Sequence, residues 1–336
     1  MNPAENHRMM QMINGYWITQ IVHAAAVYSL ADQLADGPAT SAAIAAKAGA
    51  DPTAISRLLR ACVTLDLVAC DDERRFSATP LLNTLRTDNP QSLKSLAMVM
   101  ASSASWRTWG RFVEAVRTGQ PQAKAALGKP VFEYLAEHPA EAEAFAQAMK
   151  DTLAFVSAEV ARLVDTRSAS LVADIGGAGG ALLHAVLERN PALEGIVFDL
   201  PDIASIARSC AAEAGLERRV TAIGGNFLDG VPAADLYLLR YVLHDWDDAS
   251  CIRILTNCRR SMVPGGRVVV IERLFGEMGD ARAAALMDLN MMVVLGGRER
   301  DQSEYEQLFV ASGLRLARVM PTETPSAAIL EAIDAA

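Results

Sequence analysis

The chain has 336 residues, of which 51% are hydrophobic and 21% are charged, and its formal net charge is −9. This length suggests two domains, and the composition is that of a globular protein with enough apolar material for a large core. The negative charge balance disfavours a nucleic-acid-binding surface.

The cysteines, the apolar runs and the N-terminus bear on the cellular compartment of the protein. The five cysteines are scattered and include no Cys-x-x-Cys pair, which is typical of reduced thiols in a cytosolic protein. No apolar run has the length of a membrane span, and the N-terminus lacks the pattern of a signal peptide. We therefore expect a cytoplasmic protein without a membrane partner.

The first hundred residues have the element order of a winged helix. An amphipathic helix, roughly Met10 to Leu34, precedes two further helices that lie between Thr40 and Leu65. Two short β-like runs, Leu67–Cys70 and Phe76–Thr79, are separated by a polar turn. Helix, turn, helix and hairpin in this order predict a winged helix.

DNA binding and dimerisation are the two uses that a winged helix suggests. Residues 1–100 contain 8 Lys and Arg against 9 Asp and Glu, and the wing tip Asp71-Asp72-Glu73 would repel phosphate. We therefore prefer a dimerisation module, in which the apolar face of the first helix packs against a second copy of the chain. No nucleic-acid partner is expected.

The remainder of the chain predicts an α/β sheet. Residues 101–165 have helical patterns throughout, whereas residues 166–336 alternate short β-rich runs with helical stretches. The β-rich runs are Leu171–Ile175, Ile196–Asp199, Val220–Gly224, Leu236–Leu239 and Val268–Glu272. Such alternation predicts a doubly wound, Rossmann-like sheet, whose ligands bind beyond the carboxyl ends of the strands.

A glycine-rich loop follows the first of these strands. Asp174 lies at the strand end, Gly176–Gly180 form the loop, and Asp199 ends the next strand, where a carboxylate can bind both ribose hydroxyls of a nucleoside. An NAD loop and a tight turn without a ligand also fit this pattern. S-adenosylmethionine (SAM) is favoured, because the loop offers little to a pyrophosphate and Asp174 could receive the cationic amino group of a methionine moiety.

Over nearly its whole length, the chain resembles the plant-type small-molecule O-methyltransferases, which include caffeic acid O-methyltransferase and bacterial antibiotic-tailoring enzymes. Five motifs carry the resemblance: DIGGAGG at Asp174–Gly180, FDLPDI at Phe198–Ile203, HDWDD at His244–Asp248, PGGRVVVIE at Pro264–Glu272 and GGRER at Gly296–Arg300. The resemblance implies a class I methyltransferase sheet behind a winged-helix dimerisation domain.

By the same resemblance, the enzyme would transfer a methyl group from SAM to a hydroxyl of a small aromatic natural product, such as a phenazine or an aromatic polyketide. S-adenosylhomocysteine would be the product of the cofactor. The implied domains are a dimerisation domain at 1–100, a helical linker at 101–165 that contributes to the acceptor pocket, and a catalytic domain at 166–336.

The resemblance places the cofactor site at the ends of the predicted strands. It implies contacts to SAM from Asp174, Gly176, Asp199, Asn226, Phe227 and Arg240. Two positions depart from the family pattern, since Ala178 replaces the middle glycine of the loop and Asn226 replaces an aspartate on the adenine side. Asparagine can both donate and accept, so we expect altered contacts rather than lost binding.

His244 is the predicted general base. A phenol keeps its proton to about pH 10, so transfer at neutral pH needs a base, and histidine is the natural choice. The resemblance places Glu272 and Glu299 beside the ring, one to orient it and to stabilise its cationic form. The alternative is that both glutamates are ordinary strand-end or surface acids.

The acceptor site is the least specific prediction. The family match implies contacts to the acceptor from Phe145, Met149, Met287, Asn290, Met291 and Met292. A methionine stripe is more often part of a core than of a pocket, so these positions depend on the resemblance alone.

The sequence does not predict a metal site, and it leaves two alternative functions open. No cluster of His, Asp and Cys has the spacing of metal ligands, and we expect no metal. The other histidines, His7, His23, His138 and His184, lie in helical stretches and are interpreted as structural or solvated. The alternative functions are an N-methyltransferase acting on a similar aromatic acceptor and a SAM-sensing winged-helix regulator.

Overall fold

The chain divides into two compact units. A computed structural model describes residues 3–275, 281–323 and 327–335. One unit comprises Met1–Gly110 and Val131–Leu153, and the other comprises Arg111–Pro130 and Ala154–Ala336. The domain limits at residues 100 and 165 stay a prediction.

Sixteen helices are seen in the described ranges. They are α1 Pro3–Ile13, α2 Gly15–Val27, α3 Leu30–Gln33, α4 Ser41–Ala48, α5 Pro52–Thr64, α6 Lys94–Met100, α7 Ser103–Trp109, α8 Phe112–Thr118, α9 Ala123–Leu127, α10 Val131–Ala136, α11 Pro139–Leu163, α12 Ala181–Arg189, α13 Pro201–Glu213, α14 Asp248–Ser261, α15 Ala281–Val294 and α16 Gln302–Ala311. Short 3-10 turns occur at Leu82–Leu85 and Leu243–Asp245. Within these described ranges, none of the helices combines the length and the hydropathy of a membrane span.

Twelve strands form three sheets in the same ranges. They are β1 Ala39–Thr40, β2 Val68–Cys70, β3 Arg75–Ala78, β4 Leu171–Ile175, β5 Glu194–Asp199, β6 Val220–Gly224, β7 Ala234–Arg240, β8 Met262–Glu272, β9 Leu274–Phe275, β10 Arg300–Asp301, β11 Leu314–Pro321 and β12 Ala328–Asp334. A small sheet has the order β1-β3-β2, β9 pairs with β10, and a large sheet has the order β11-β12-β8-β7-β4-β5-β6.

In the first unit, the predicted helices and hairpin form around one apolar core. Thr40 and Asp51 accept hydrogen bonds from the backbone at the starts of α4 and α5, as the capping pattern predicts. The hairpin β2–β3 gains a third strand, β1, which the sequence did not reveal. The core is built from fully buried aliphatic side chains that include Leu30, Ile44 and Leu59.

The prediction of one helix from Met10 to Leu34 is wrong. The segment forms three helices, because α1 ends at Ile13 and α2 ends before Ser29, whose φ of +50° is incompatible with a continuing α-helix. The break turns Leu30 into the core, while α1 has no buried residue.

The large sheet of the second unit is covered on both faces. Val268 and Val270 of β8 face the core formed with α14 and α16, while Val269 and Ile271 face the core formed with α12 and the end of α11. Alternate side chains are buried on opposite faces, as expected of a doubly wound sheet. Each buried valine or isoleucine stabilises the fold by roughly 1.5–3 kcal/mol.

The direction of the strands determines where the site lies. Strands β4 to β8 run parallel, and β11 and β12, which the sequence pattern did not predict, close one edge in antiparallel pairing. Asp174, Asp199, Arg240 and Glu272 lie at or next to the carboxyl ends of neighbouring strands β4, β5, β7 and β8. These four side chains therefore meet at one edge of the sheet.

Candidate active site

A buried carboxylate lies beneath the glycine loop. Asp174 is only 2% exposed, and within the described part of the chain its Oδ2 atom has no hydrogen-bond partner. A Cβ atom at Gly177 would lie 2.7 Å from Asp174 Cγ, so only glycine fits over this carboxyl. Gly176 also adopts a φ of +67°, which favours glycine at that position. The loop therefore follows the shape of the carboxyl group and leaves one of its oxygens available to a ligand.

Asp174 and Arg240 are neighbouring opposite charges. Burial raises the pKa of Asp174 to about 6, while the positive charge of Arg240 opposes the increase. Burial in turn lowers the pKa of Arg240, and its guanidinium donates a hydrogen bond to Ser157 on α11. A cationic group bound at Asp174 would favour the ionised carboxylate.

Asp199 binds the glycine loop at Ala178, the position where the loop departs from the family pattern. Its Oδ2 atom accepts a hydrogen bond from the backbone nitrogen of Ala178 at 2.9 Å, and its Oδ1 atom accepts one from Leu200 at 2.7 Å. Ala178 adopts a φ of +49°, a left-handed conformation that costs an L-residue about 1–2 kcal/mol. The bond to Asp199 offsets part of this cost, and each carboxylate oxygen keeps acceptor capacity for a ribose hydroxyl.

Asn226 and Phe227 follow β6 on the same edge of the sheet. Asn226 Oδ1 accepts the backbone hydrogen bond of Leu228 at 3.0 Å and so closes the turn, while its amide remains a donor that an aspartate would lack. Phe227 lies against the loop, with its ring 3.8 Å from the position that a Gly176 Cβ would take. Its ring also packs edge-on against Trp246, with the centroids 5.6 Å apart.

His244 is buried in the 3-10 turn that follows β7. Its Nδ1 atom lies 3.0 Å from Glu299 Oε1 and 3.7 Å from Glu272 Oε2. Glu272 Oε1 accepts hydrogen bonds from the backbone nitrogens of Leu243, at 2.9 Å, and His244, at 3.3 Å. The geometry therefore gives the two acids different tasks, since Glu299 orients the ring and Glu272 holds the turn.

The acids also set the protonation of the ring. Burial lowers the pKa of His244, but Glu272, Glu299 and Asp245 together raise it more, to about 9. Burial raises the pKa of Glu272 to about 7, and the negative charge of Glu299 adds to that increase. Glu272 and Glu299 both face Nδ1, so the neutral ring keeps its proton on that atom and has its lone pair on Nε2, which lies 3.4 Å from Asp245 Oδ1.

The GGRER segment packs directly onto this turn. A Cβ atom at Gly297 would lie 2.0 Å from the carbonyl oxygen of His244, and the backbone nitrogen of Arg298 donates to that oxygen at 2.8 Å. The backbone nitrogen of Glu299 donates to Asp288 Oδ1 on α15 at 3.0 Å. Gly297 and Asp288 are not among the predicted site residues, although the repeated glycine of the motif is a signal for close backbone approach.

The same three residues offer donor atoms that a metal could use. Ligand atoms of His244, Glu272 and Glu299 lie within 4.8 Å of one another. Nδ1 and the carboxylates already contact one another and the backbone, which is the arrangement of an oriented acid–base group. This arrangement suits proton transfer, and the absence of a metal stays a prediction.

The predicted acceptor residues lie in both units. Met287, Asn290, Met291 and Met292 are on α15 of the second unit, where Met291 is buried and the other three are half-buried. Phe145 and Met149 are on the part of α11 that belongs to the first unit, and the ring of Phe145 packs edge-on against Phe132. Their contacts with an acceptor stay predictions.

The fold and the site together define a class of protein. A doubly wound sheet, a glycine loop over a buried aspartate and a second strand-end aspartate are the features of a class I methyltransferase. Family comparison agrees, since residues 109–315 match the O-methyltransferase domain and residues 10–88 match the O-methyltransferase dimerisation domain.

Individual relatives are similar over almost the whole chain. Phenazine O-methyltransferase PhzM of Lysobacter antibioticus is 37% identical over 315 residues, which are 94% of this chain and 92% of the relative. Phenazine-1-carboxylate N-methyltransferase of Pseudomonas aeruginosa is 32% identical, with 96% of each chain covered.

Two solved structures show the same fold. Mitomycin 7-O-methyltransferase MmcR superposes with a TM-score of 0.92 at 32% identity and 98% coverage of both chains. NcsB1, an O-methyltransferase from neocarzinostatin biosynthesis solved with SAM and 2-hydroxy-5-methyl naphthoic acid, has a TM-score of 0.81 at 33% identity, with 94% of this chain and 96% of NcsB1 covered.

The chain therefore belongs to the O-methyltransferase family. The predictions of a class I methyltransferase fold and of a SAM-dependent O-methyltransferase are confirmed.

Proposed function

We propose that the enzyme methylates a hydroxyl of a small aromatic natural product and that His244 is its general base. The observation that carries the proposal is the buried imidazole, whose Nδ1 atom faces two buried acids. The acceptor class is supported by the relatives, which include an enzyme named for phenazines and one solved with a hydroxynaphthoic acid.

The residues at the sheet edge fit SAM. The unpartnered oxygen of Asp174 suits the amino group of a methionine moiety, the Asp199 carboxylate suits ribose hydroxyls, and Phe227 offers an apolar face to an adenine. Gly176, Asn226 and Arg240 complete the proposed set. When bound, SAM supplies an electrophilic methyl group on a sulfonium centre.

The chain's own part in the reaction is to move one proton. His244 must be neutral to act, and a pKa of about 9 keeps most of it cationic at neutral pH in the ligand-free protein. A cationic donor and an apolar acceptor nearby both disfavour the imidazolium, so they lower this pKa when the complex assembles. Nε2 then takes the hydroxyl proton as the acceptor oxygen displaces sulfur from the methyl carbon, and Glu299 and Glu272 stabilise the imidazolium that forms.

We also propose that the enzyme acts as a homodimer assembled by the first unit. The helix α1 has no buried residue, and it exposes Met9, Met10, Met12 and Ile13 by more than half. An apolar face of this size favours burial against a second copy, and the match to a dimerisation domain supports that occupant. The acidic wing stays an argument against nucleic acid as a partner.

A turnover assay of His244→Ala tests the proposed base. Acceptors are a hydroxyphenazine, 2-hydroxy-5-methyl naphthoic acid and their amino analogues, with products identified by mass. Removal of the base should reduce turnover on the hydroxyl acceptors by about 10²- to 10⁴-fold and leave S-adenosylhomocysteine affinity unchanged. Glu217→Ala, which removes an exposed side chain in the turn between α13 and β6, is the control and should retain full activity.

A second acceptor distinguishes proton transfer from positioning. A nitro-substituted hydroxyphenazine, already ionised at neutral pH, needs no base, so its loss in His244→Ala should be much smaller. Equal losses on both acceptors would mean that His244 only positions the substrate. Methylation of the amino analogues alone would replace the O-methyl proposal by the N-methyl activity that the Pseudomonas relative carries in its name.

A further inference from the structure

Arg300 is a fully buried cation beside the candidate base. Its side chain is 0% exposed and is the largest of the fully buried side chains in the described part of the chain. Nη1 donates to the carbonyl oxygen of Leu243 at 3.0 Å, and Nη2 donates to that of Trp246 at 2.8 Å. Nε and Nη2 also donate to Asp248 Oδ1, at 3.0 and 2.8 Å.

These contacts enclose the turn that carries His244. The two carbonyls belong to the residues immediately before His244 and immediately after Asp245, so one planar guanidinium spans the turn. Cys251 of α14 donates weakly to the same two carbonyls, at 3.2 and 3.6 Å. Arg300 and Cys251 thereby bind the carbonyls of the turn, while two of its backbone nitrogens donate to Glu272.

The ion pair alone does not account for this arginine. Its carboxylate partner Asp248 is 52% exposed, and exposed pairs contribute little to stability, whereas burying a guanidinium is costly. A hydrophobic side chain would fill the same space without that cost. A hydrophobic residue could not, however, donate hydrogen bonds to the backbone carbonyls of Leu243 and Trp246.

We propose that Arg300 is a positioning residue for methyl transfer, which fixes the Leu243–Trp246 turn so that His244 Nδ1 stays within hydrogen-bond distance of Glu299. This inference deepens the proposed function and rests on His244 being the base. Glu299 and Arg300 are consecutive in the chain. One short segment therefore orients the imidazole through the side chain of Glu299 and binds the backbone of the His244 turn through the side chain of Arg300.

Lysine cannot replace arginine in this role. A lysine ammonium is a single point of donation on a flexible stem, whereas the guanidinium is a rigid fork that reaches two acceptors at once. In Arg300→Lys the charge is kept, yet at most one of the two carbonyls stays bound. The turn should then relax, and the separation of His244 Nδ1 from Glu299 should increase.

The test measures the imidazole itself and needs no acceptor. Full-length protein with ¹⁵N-labelled histidine is titrated by NMR in the presence of S-adenosylhomocysteine, and the His244 signal is identified by its loss in His244→Ala. The groups facing the ring are Glu272, Glu299, Asp245 and Tyr241, whose ring stacks on that of His244 with the centroids 5.6 Å apart, and Arg273 lies 4.0 Å from Glu299. In Arg300→Lys, weaker contact with the acids should lower the His244 titration midpoint by about one pH unit or more.

Asp248→Asn is the matched control, because it removes the exposed carboxylate and leaves both carbonyl contacts. Its midpoint should stay within about 0.3 unit of the wild type. An Arg300→Lys midpoint that also stays within that range overturns the proposal, as does an Asp248→Asn shift equal to that of Arg300→Lys. If Arg300→Lys does not fold, Arg300→Gln is titrated instead. Loss of the nearby positive charge alone would raise the His244 midpoint, so a fall supports the proposal, and a midpoint equal to or above that of the wild type overturns it. Failure of both variants to fold shows a general core role and also overturns the proposal.

The titration and the test of the proposed base have separate readouts. Turnover of His244→Ala on a hydroxyphenazine decides whether His244 is the base, while the titration decides whether Arg300 controls its contact with the acids. Turnover is compared above about pH 9, where His244 is largely neutral in both proteins; a reduced Arg300→Lys turnover there that recovers on the nitro-substituted hydroxyphenazine would add kinetic support, since a purely structural defect lowers both rates equally.

Discussion

The raised pKa of His244 predicts a steep dependence of the reaction on pH. With a pKa of about 9, only about 1% of the ligand-free enzyme carries a neutral His244 at pH 7. For an ordinary phenolic acceptor, kcat/KM reports the free enzyme and should therefore rise about tenfold per pH unit above 7. The rise should level near pH 9, after about a 100-fold increase.

The sign follows from which form reacts. The acids stabilise the imidazolium and so hold back the neutral base, and raising the pH removes the proton and restores activity. For kcat/KM, SAM and the acceptor are both kept well below saturation so that the rate reports the ligand-free enzyme, and initial rates are measured by product mass between pH 6 and 10. In kcat, the midpoint should lie below that of kcat/KM, because the assembled complex disfavours the cation.

A nitro-substituted acceptor is the control for titration of the substrate itself. Its hydroxyl is ionised at neutral pH, so its rate should not rise between pH 7 and 9. If both acceptors instead show flat profiles over that range, then His244 is neutral in the free enzyme and the argument from its buried acids is wrong. If each profile levels at the pKa of its own hydroxyl, the titrating group is the acceptor.

Three further changes test the cofactor site and the assembly. Gly177→Ala places a Cβ atom 2.7 Å from Asp174 Cγ and should weaken S-adenosylhomocysteine binding by about tenfold or more in calorimetry. The control Gly230→Ala, whose Cβ atom meets nothing within 4 Å, should not weaken it. Equal affinities of the two variants would mean that Asp174 does not contact the ligand. Asp199→Ala removes the partner of the Ala178 nitrogen and should weaken the same binding by about 10- to 100-fold, and unchanged affinity would move the site elsewhere. Light scattering should give a mass of twice the 36.0 kDa chain for the wild type and the mass of a single chain for Ile13→Glu. A stable, active wild-type monomer would contradict the dimer.

The sequence predicted the parts of the site that local pattern controls. Asp174, Asp199 and Glu272 could be placed because each ends a β-rich run, and the ends of parallel strands meet at one edge of a sheet. The distances between His244 and its acids could not be predicted, because 28 and 55 residues separate His244 from Glu272 and Glu299. The family resemblance supplied that proximity, and the structure supplies the separate tasks of the two acids.

Long-range contacts explain what the pattern missed. Nothing local marks Ser29 as the end of α2, and its left-handed conformation is accompanied by a 2.8 Å hydrogen bond from Lys94, 65 positions away. Arg300 could not be identified as buried, because charged residues are mostly exposed and its partners include backbone carbonyls 54 and 57 positions earlier. Strands β11 and β12 do not follow from the strand–helix alternation, because that alternation predicts parallel strands, whereas β12 pairs antiparallel with both β11 and β8.

The helix α15 carries Asp288, whose side chain has a specific hydrogen-bonding partner, next to methionines whose side chains do not need one particular residue type. Asp288 holds the backbone of Glu299, whereas the adjacent Met287 and the half-buried Met292, one turn further on, have side chains without ionisable groups. Met287 or Met292 can therefore be exchanged for other apolar residues while Asp288 continues to hold the backbone of Glu299. If the proposed acceptor contacts hold, related enzymes that modify different compounds should differ at positions 287 and 292 and keep an aspartate at position 288.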